Sequence, residues 1–399
     1  MHTLNDLYSG ALHGARHVRL TNLGLKEFPS ELFRLCETLE LLDLSGNQLS
    51  EFPHDFARFK HLRILFASNN PFTEFPKVLG DCPQLEMVGF KACQIQKVPE
   101  GSLPARLRWL ILTDNQLSEL PKQLGQCQRL QKLMLSCNQL QSLPNLMECQ
   151  QLELLRIASN SFTDIPEQLL QAPALSWLAM AGNPLTHKSE HQALDTSSLA
   201  SISYQNLEIG KLLGEGASGH IYQATLKDTG EAVALKCFKA MRTSDGTPHS
   251  ELAAGLCAGR HAHLLTPCAK VTHHPHGDLA SVFPLLPPGY INLAQPPSLE
   301  SCTRDVYAPH TRFTQSMAHH LLHCIRSAIH HMHNHRVLHG DLYAHNILWN
   351  PSRGDAILSD FGAATLPHDL PAKFIPHLQA LEWRAYRHLE TEVMARCTG

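Results

Sequence analysis

"LRWLILTDNQLSELP", residues 107–121, is the stretch on which the fold turns. Its LxL segment at Leu110 to Leu112 reads as a short strand, Asn115 as the residue that bonds backbone as the chain turns, and its leucines as one wall of a stacked core. The template LxxLxLxxNxLxxLP recurs in "LELLDLSGNQLSEFP" (39–53), "LRILFASNNPFTEFP" (62–76), "LQKLMLSCNQLQSLP" (130–144) and "LELLRIASNSFTDIP" (152–166). "LEMVGFKACQIQKVP" (85–99) fits with Cys93 in place of asparagine, and "LSWLAMAGNPL" closes the series. Positions 47, 70, 93, 115, 138, 160 and 183 therefore step by 22 or 23 residues. A single unit cannot bury its apolar face alone, so the array folds as a solenoid.

With the degenerate unit "VRLTNLGLKEFP" there are eight repeats, and the pattern resembles the leucine-rich repeat family in its short, LP-ending form. Strand alternation sends Leu41, Asp43, Ile64, Phe66, Met87, Trp109, Ile111, Lys132, Met134, Leu154, Arg156 and Trp177 outward onto the concave side, a row that is mostly apolar. Such an apolar row suits a protein partner, or packing against the chain's own second half. Cys36, Cys82, Cys127 and Cys149 each stand three residues before a repeat's first leucine, and no CxxC occurs among the 12 cysteines. They are expected as small buried thiols, not disulfides or a zinc site.

The polar segment "THKSEHQALDTSSLASISYQNLEIG" ends the periodicity. The expected organisation is a repeat domain over 1–186, a linker over 187–204 and a second domain over 205–399. There "GEGASGHI" spaces Gly214, Gly216 and Gly219 so that a hairpin's backbone amides can approach phosphate. Lys236 in the strand "EAVALKCF" follows the first glycine by 22 residues (236 − 214). "HGDLYAHNIL" (339–348) sets Asn346 five positions after Asp341, and "SDFG" supplies Asp360. A histidine-rich helix precedes that loop; its histidines lack an acidic or thiol partner for a metal site.

These motifs, in this order, resemble the protein kinases. The resemblance implies catalytic roles for Asp341, Lys236 and Glu251, the last an acid that holds the lysine. It implies ATP contacts from Leu213, Gly214, Glu215, Gly216, Ala217, Ser218, Gly219, Ile221, Ala234, Lys236 and Leu348, with "VFPLLPPG" (282–289) as the segment that reads adenine. It implies Mg²⁺ on Asn346 and Asp360. The fold expectation is α/β: a leucine-rich repeat solenoid followed by an α+β two-lobed protein-kinase-like domain with a shortened C-lobe.

Four features depart from the kinase pattern. Gly340 replaces an arginine that would hold a phosphorylated activation loop, and Tyr343 replaces a lysine that would contact the transferring phosphate. No APE follows the DFG; "LEWRAYRHLETEVM" is expected as the helix after a short activation segment. The chain stops at Gly399, before the last helices of an ordinary kinase C-lobe, which reads as a minimal kinase or a truncated chain. Over its length the chain resembles bacterial leucine-rich repeat protein kinases. The function expected is an ATP- and Mg²⁺-dependent protein kinase, serine/threonine by preference, with a protein substrate or partner on the concave face. The alternatives are a pseudokinase scaffold, or a small-molecule phosphotransferase of the aminoglycoside or choline type, which shares HGDxxxxN.

A net charge of −3, with 17% charged and 43% hydrophobic residues, offers no basic field for nucleic acid. No signal peptide is evident, and Leu279 to Leu299 is too broken by proline to span a bilayer. A cytoplasmic protein is expected.

Overall fold

The computed structural model describes residues 2–196, 200–216, 218–239, 243, 245–277 and 279–398. The chain divides into two compact units, Met1–Leu175 and Ser176–Gly399.

The first unit opens with a short helix, α1 (Leu4–Tyr8), and carries strands β1 (His17–Arg19), β2 (Leu41–Asp43), β3 (Ile64–Phe66), β4 (Met87–Gly89), β5 (Trp109–Ile111), β6 (Lys132–Met134) and β7 (Leu154–Arg156). They pair in parallel, each with its successor. The repeating asparagine is what allows this. Asn138 Nδ2 donates to the carbonyls of Leu112 (2.9 Å) and Leu135 (2.9 Å), and its Oδ1 accepts from Leu117 N at 3.0 Å. One buried amide thus satisfies backbone groups of two successive turns. Asn47, Asn70, Asn115 and Asn160 do the same. At Cys93 the thiol reaches Ala67 O at 3.5 Å. Cys82, Cys127 and Cys149 are free and buried, while Cys36 is half-buried. Burial pushes the Cys82 thiol up to about 12, with Asp81 adding to it.

The second unit begins with β8 (Trp177–Ala179) and α2 (Pro184–Thr196), followed by β9 (Ala200–Ser203). Of the stretch 187–204, expected as a linker, the residues up to Thr196 belong to α2 and Ala200–Ser203 to β9; α2 carries no apolar periodicity because it buries Thr186, Ser189 and Glu190 alongside Leu185 and Ala193. Next come β10 (Leu207–Glu215), β11 (Gly219–Leu226), β12 (Ala232–Phe238), α3 (Pro248–Ala258), β13 (Ala269–Thr272) and β14 (Ala280–Pro284). The sheet order is β10-β11-β12-β14-β13-β9, antiparallel except where β9 runs parallel to β13. Val233, Leu235, Ala269, Ala280 and Val282 are at the centre of its core.

Below lie β15 (Ile291–Asn292), β16 (Phe313–Thr314), α4 (Gln315–Asn334), β17 (Ile347–Trp349), β18 (Ala356–Leu358), α5 (Ile375–Met394) and β19 (Cys397–Thr398). Helix α4 is capped by Thr314, whose Oγ1 accepts from Met317 N, and buries Leu321, Leu322, Ile325, Ile329 and Met332 on one face. Its histidines serve as tethers: His331 Nε2 meets Ala258 O at 2.8 Å and His320 Nε2 meets Asp355 at 3.1 Å. Among the described residues no helix is long and apolar enough to cross a membrane.

Candidate functional site

The glycine hairpin is the turn between β10 and β11, closed by Gly216 N donating to Gly219 O at 3.0 Å. A Cβ on Gly219 would lie 2.4 Å from Cys237 O, so β12 itself demands glycine there. Among the described residues, a Cβ at Gly214 or Gly216 would meet nothing within 4 Å, so packing against them does not require glycine at either position. Glu215 forms an ion pair with Lys239, and Ser218 O accepts from Lys239 N at 3.1 Å. Ala217 lies outside the described residues. Leu213 and Ile221 are exposed, at 44% and 36%, whereas Ala234 and Leu348 are half-buried.

Register brings Lys236 on β12 opposite Ile221 on β11. Its ammonium reaches the carboxylate of Glu251 in the first turn of α3, and both residues are buried, at 8% and 6% exposure. Burial alone would drive the Lys236 pKa down, but Glu251 and Asp360 more than offset it, so the lysine is held above its ordinary value. Burial first, then Asp360 and Asp245, push Glu251 up to about 7 against the pull of Lys236. We read the pair as charged, because each partner supplies the counter-ion the other needs.

The loop 335–346 joins α4 to β17. Asn346 Nδ2 donates to Asp341 Oδ2 at 2.8 Å and to Asp341 O at 2.9 Å. With its amide hydrogens so committed, the Asn346 oxygen is the atom left for a metal. His339 is fully buried: its Nδ1 accepts from Asp341 N (3.3 Å), so Nε2 carries the proton and donates to Ser359 O (3.0 Å). Ser359 Oγ in turn donates to Asn346 O at 2.8 Å. Asp360 follows at φ 62°, a left-handed backbone that aspartate tolerates, with its Oδ1 accepting from Gly362 N at 3.0 Å. The Asp360 residue is exposed while Phe361 is buried against the His339 ring, 5.4 Å between centroids. The exposed Asp360 carboxylate and the Asn346 amide oxygen are hard-oxygen donors of the kind Mg²⁺ favours.

A family model for the protein kinase domain matches residues 207–373, and one for the leucine rich repeat matches residues 14–72. The chain carries leucine-rich repeats and a protein kinase domain. It is similar to a protein of Dictyostelium discoideum named a probable cyclin-dependent serine/threonine-protein kinase, 30% identical over 161 residues, which is 40% of this chain and 23% of that protein. It is also similar to the human leucine-rich repeat and IQ domain-containing protein 4, 38% identical over 68 residues (17% of this chain, 12% of that protein). A third relative is the human PH domain leucine-rich repeat-containing protein phosphatase 1, 31% identical over 111 residues (27% of this chain, 6% of that protein). The matched regions span less than a quarter of each of these relatives.

Within the kinase domain, the departures from pattern acquire physical reasons. Gly340 has φ 72°, and a Cβ there would lie 2.5 Å from Ala363 O and 2.6 Å from Leu178 O. Strand β8 occupies the space an arginine would need. Tyr343 is buried and stacks on Trp177, 4.2 Å between centroids at 9°, and Trp177 Nε1 donates to Leu342 O at 3.0 Å. Trp177, assigned by alternation to an outward-facing row, is thus only 1% exposed and committed to the loop of Leu342 and Tyr343. Gly340→Arg is expected to destabilise the kinase domain by roughly 3 kcal/mol, combining left-handed strain with overpacking. A lower thermal midpoint would confirm it; a midpoint at or above wild type would refute it.

Two carboxylates escaped sequence reasoning. Glu382 of α5 is 3% exposed, accepts from Gly340 N (2.9 Å) and His339 N, and meets His333 Nε2 at 2.6 Å. The signal was present: α5 buries Leu378, Leu381, Ala385, Leu389 and Val393, and Glu382 falls on that same face. Asp305, also buried, accepts from His345 Nδ1 (2.8 Å) and His345 N (3.0 Å). Burial opposes the charged imidazole, yet Asp305, with Asp341 and Asp360 contributing, raises the His345 pKa above its usual value. No spacing rule marks Asp305, because it lies 40 residues from its partner.

Proposed function

We propose that this chain is an ATP- and Mg²⁺-dependent protein kinase that transfers the γ-phosphate to a serine or threonine hydroxyl of a protein. The observation that carries the reading is the buried Lys236 and Glu251 pair, in one unit with the hydrogen-bonded Asp341 and Asn346 and the exposed Asp360. In this reading Gly214 to Gly219 cover the phosphates, while Ile221, Ala234 and Leu348 flank the base. Lys236 neutralises phosphate charge and Asp341 orients the acceptor hydroxyl. Asn346 and Asp360 would hold Mg²⁺, which supplies charge neutralisation at the phosphates when bound. With Tyr343 buried, His345, whose pKa is held against burial above its ordinary value by Asp305 and Asp341, is a loop residue in which positive charge is favoured.

The repeats are read as the recruiting surface, through half-buried Ile64, Phe66, Trp109, Ile111 and Met134. The loop HGDLYAHNIL supports a bacterial-type repeat kinase. The test is transfer from γ-labelled ATP, with Mg²⁺, to lysate proteins in competition with aminoglycosides and choline. Label on protein is expected. Label on the small alcohols would favour a metabolite kinase, and no label above a Lys236→Met control would favour a scaffold.

A further inference from the structure

We propose that α2 is a brace for the helix that carries Glu251, and that Glu190 is a positioning residue for phosphate transfer; this rests on the kinase reading above. The Lys236 and Glu251 contact exists only while α3 lies against the sheet. Glu251 is in the first turn of α3, and its neighbour Ser250 ties that turn to α2. Ser250 Oγ donates to Glu190 Oε2 at 2.9 Å, and Glu190 Oε1 accepts from Gly182 N at 2.9 Å. Ser250 has a single hydroxyl hydrogen. With that given to Glu190, Thr247 Oγ1, at 2.9 Å, must donate to Ser250 Oγ while accepting from Ser250 N. The cap of α3 and the carboxylate of α2 therefore form one hydrogen-bonded unit. Glu190 and Ser250 are 7% and 1% exposed, and a carboxylate beside the first turn of an 11-residue helix also complements its dipole.

The same helix reaches two further elements. Ser189 donates to Asp369 Oδ2 from both N (3.0 Å) and Oγ (2.5 Å), tying α2 to the segment after Phe361 and Gly362. Lys270 Nζ of β13 donates to Leu194 O at 2.8 Å in the last turn. Swinging α3 away would leave the Glu190 carboxylate buried beside an emptied donor position, which is costly for a charged acceptor. The brace thus favours the engaged state of Glu251 by the connection immediately following the last repeat, without phosphorylation. This agrees with Gly340, which removes the arginine such phosphorylation would use.

The experiment uses the full chain with Glu190→Ala, Glu190→Gln and Ser250→Ala, measuring kcat and KM for ATP, thermal midpoint, and amide hydrogen exchange over 248–258. Glu190→Ala is expected to lower kcat about tenfold or more and to speed exchange in α3, with Glu190→Gln recovering part of both. Ser250→Ala should reproduce the loss and add little in the Glu190→Ala background, as coupled partners do. Additive effects would overturn the proposal. So would a lower thermal midpoint with kcat per folded molecule and α3 exchange at wild-type values. If Glu190→Ala does not fold, the smaller Ser250→Ala change decides by the same readouts. If the wild type transfers no more phosphate than Asp341→Asn, the kinase reading fails, and the exchange of α3 still tests the brace.

Discussion

Asp341→Asn is expected to lower phosphate transfer by about 10²- to 10⁴-fold, the span of a positioned acid–base group, while ATP affinity and thermal midpoint stay at wild-type values. The reason for expecting a clean loss lies in the loop's hydrogen bonds. Asn346 Nδ2 reaches both the backbone carbonyl and one carboxylate oxygen of Asp341, and an asparagine at 341 keeps an oxygen for that contact. His339 grips the 341 backbone N–H, not its side chain. Asp341 is half-buried, and the near-isosteric asparagine leaves the contact with buried Asn346 in place. On the proposed kinase reading, what disappears is the acceptor for the substrate hydroxyl's proton. Single-turnover transfer from labelled ATP, beside equilibrium nucleotide binding, separates the two quantities. Transfer within threefold of wild type would assign Asp341 a structural role.

Glu382→Ala is expected to cost about 3–5 kcal/mol, the range for removing one partner of a buried charged network. Three groups lose their acceptor together: the N–H of Gly340, the N–H of His339 and the His333 imidazole. Two of these are backbone of the loop that presents Asp341, so activity should fall with stability. Burial works against the Glu382 carboxylate, but His333 and the loop amides prevail and hold its pKa below the ordinary 4.5. The sign follows: this stabilisation is fully present above about pH 4.5 and drains away as pH falls through the lowered value. Glu382→Gln should therefore flatten the acid limb of the stability profile. Tryptophan fluorescence during urea unfolding reports on it, since Trp177, Trp349 and Trp383 all lie in the second unit. An unchanged midpoint and an unchanged acid limb would refute the role given to Glu382.

Some of this site was legible from spacing. Lys236 meets Glu251 because a strand register and a helix cap, each readable over a dozen residues, bring them together. Asn346 meets Asp341 because five residues of loop span one tight turn. Glu382 was half-legible, as a charged residue on the apolar face of a helix. Asp305, Glu190 and Trp177 were not, since their partners lie 40, 60 and 165 residues away. A polar helix such as α2 also defeats apolar periodicity, because what it buries is a hydroxyl and a carboxylate.

By itself the sequence determined what is periodic or local. It specified the strands and asparagine turns of the repeats, the glycine hairpin, the capped helices and the Asp341 to Asn346 loop, because these rest on contacts within one or two turns of chain. Only the tertiary structure decided why Gly340 must be glycine. A positive φ can be guessed from a glycine, but the carbonyls of Leu178 and Ala363 that exclude a side chain come from segments 162 and 23 residues distant (340 − 178, 363 − 340). The same holds for Trp177 under Tyr343 and Glu190 against Ser250. Steric exclusion and buried hydrogen bonding depend on which surfaces meet, and neither leaves a period in the chain.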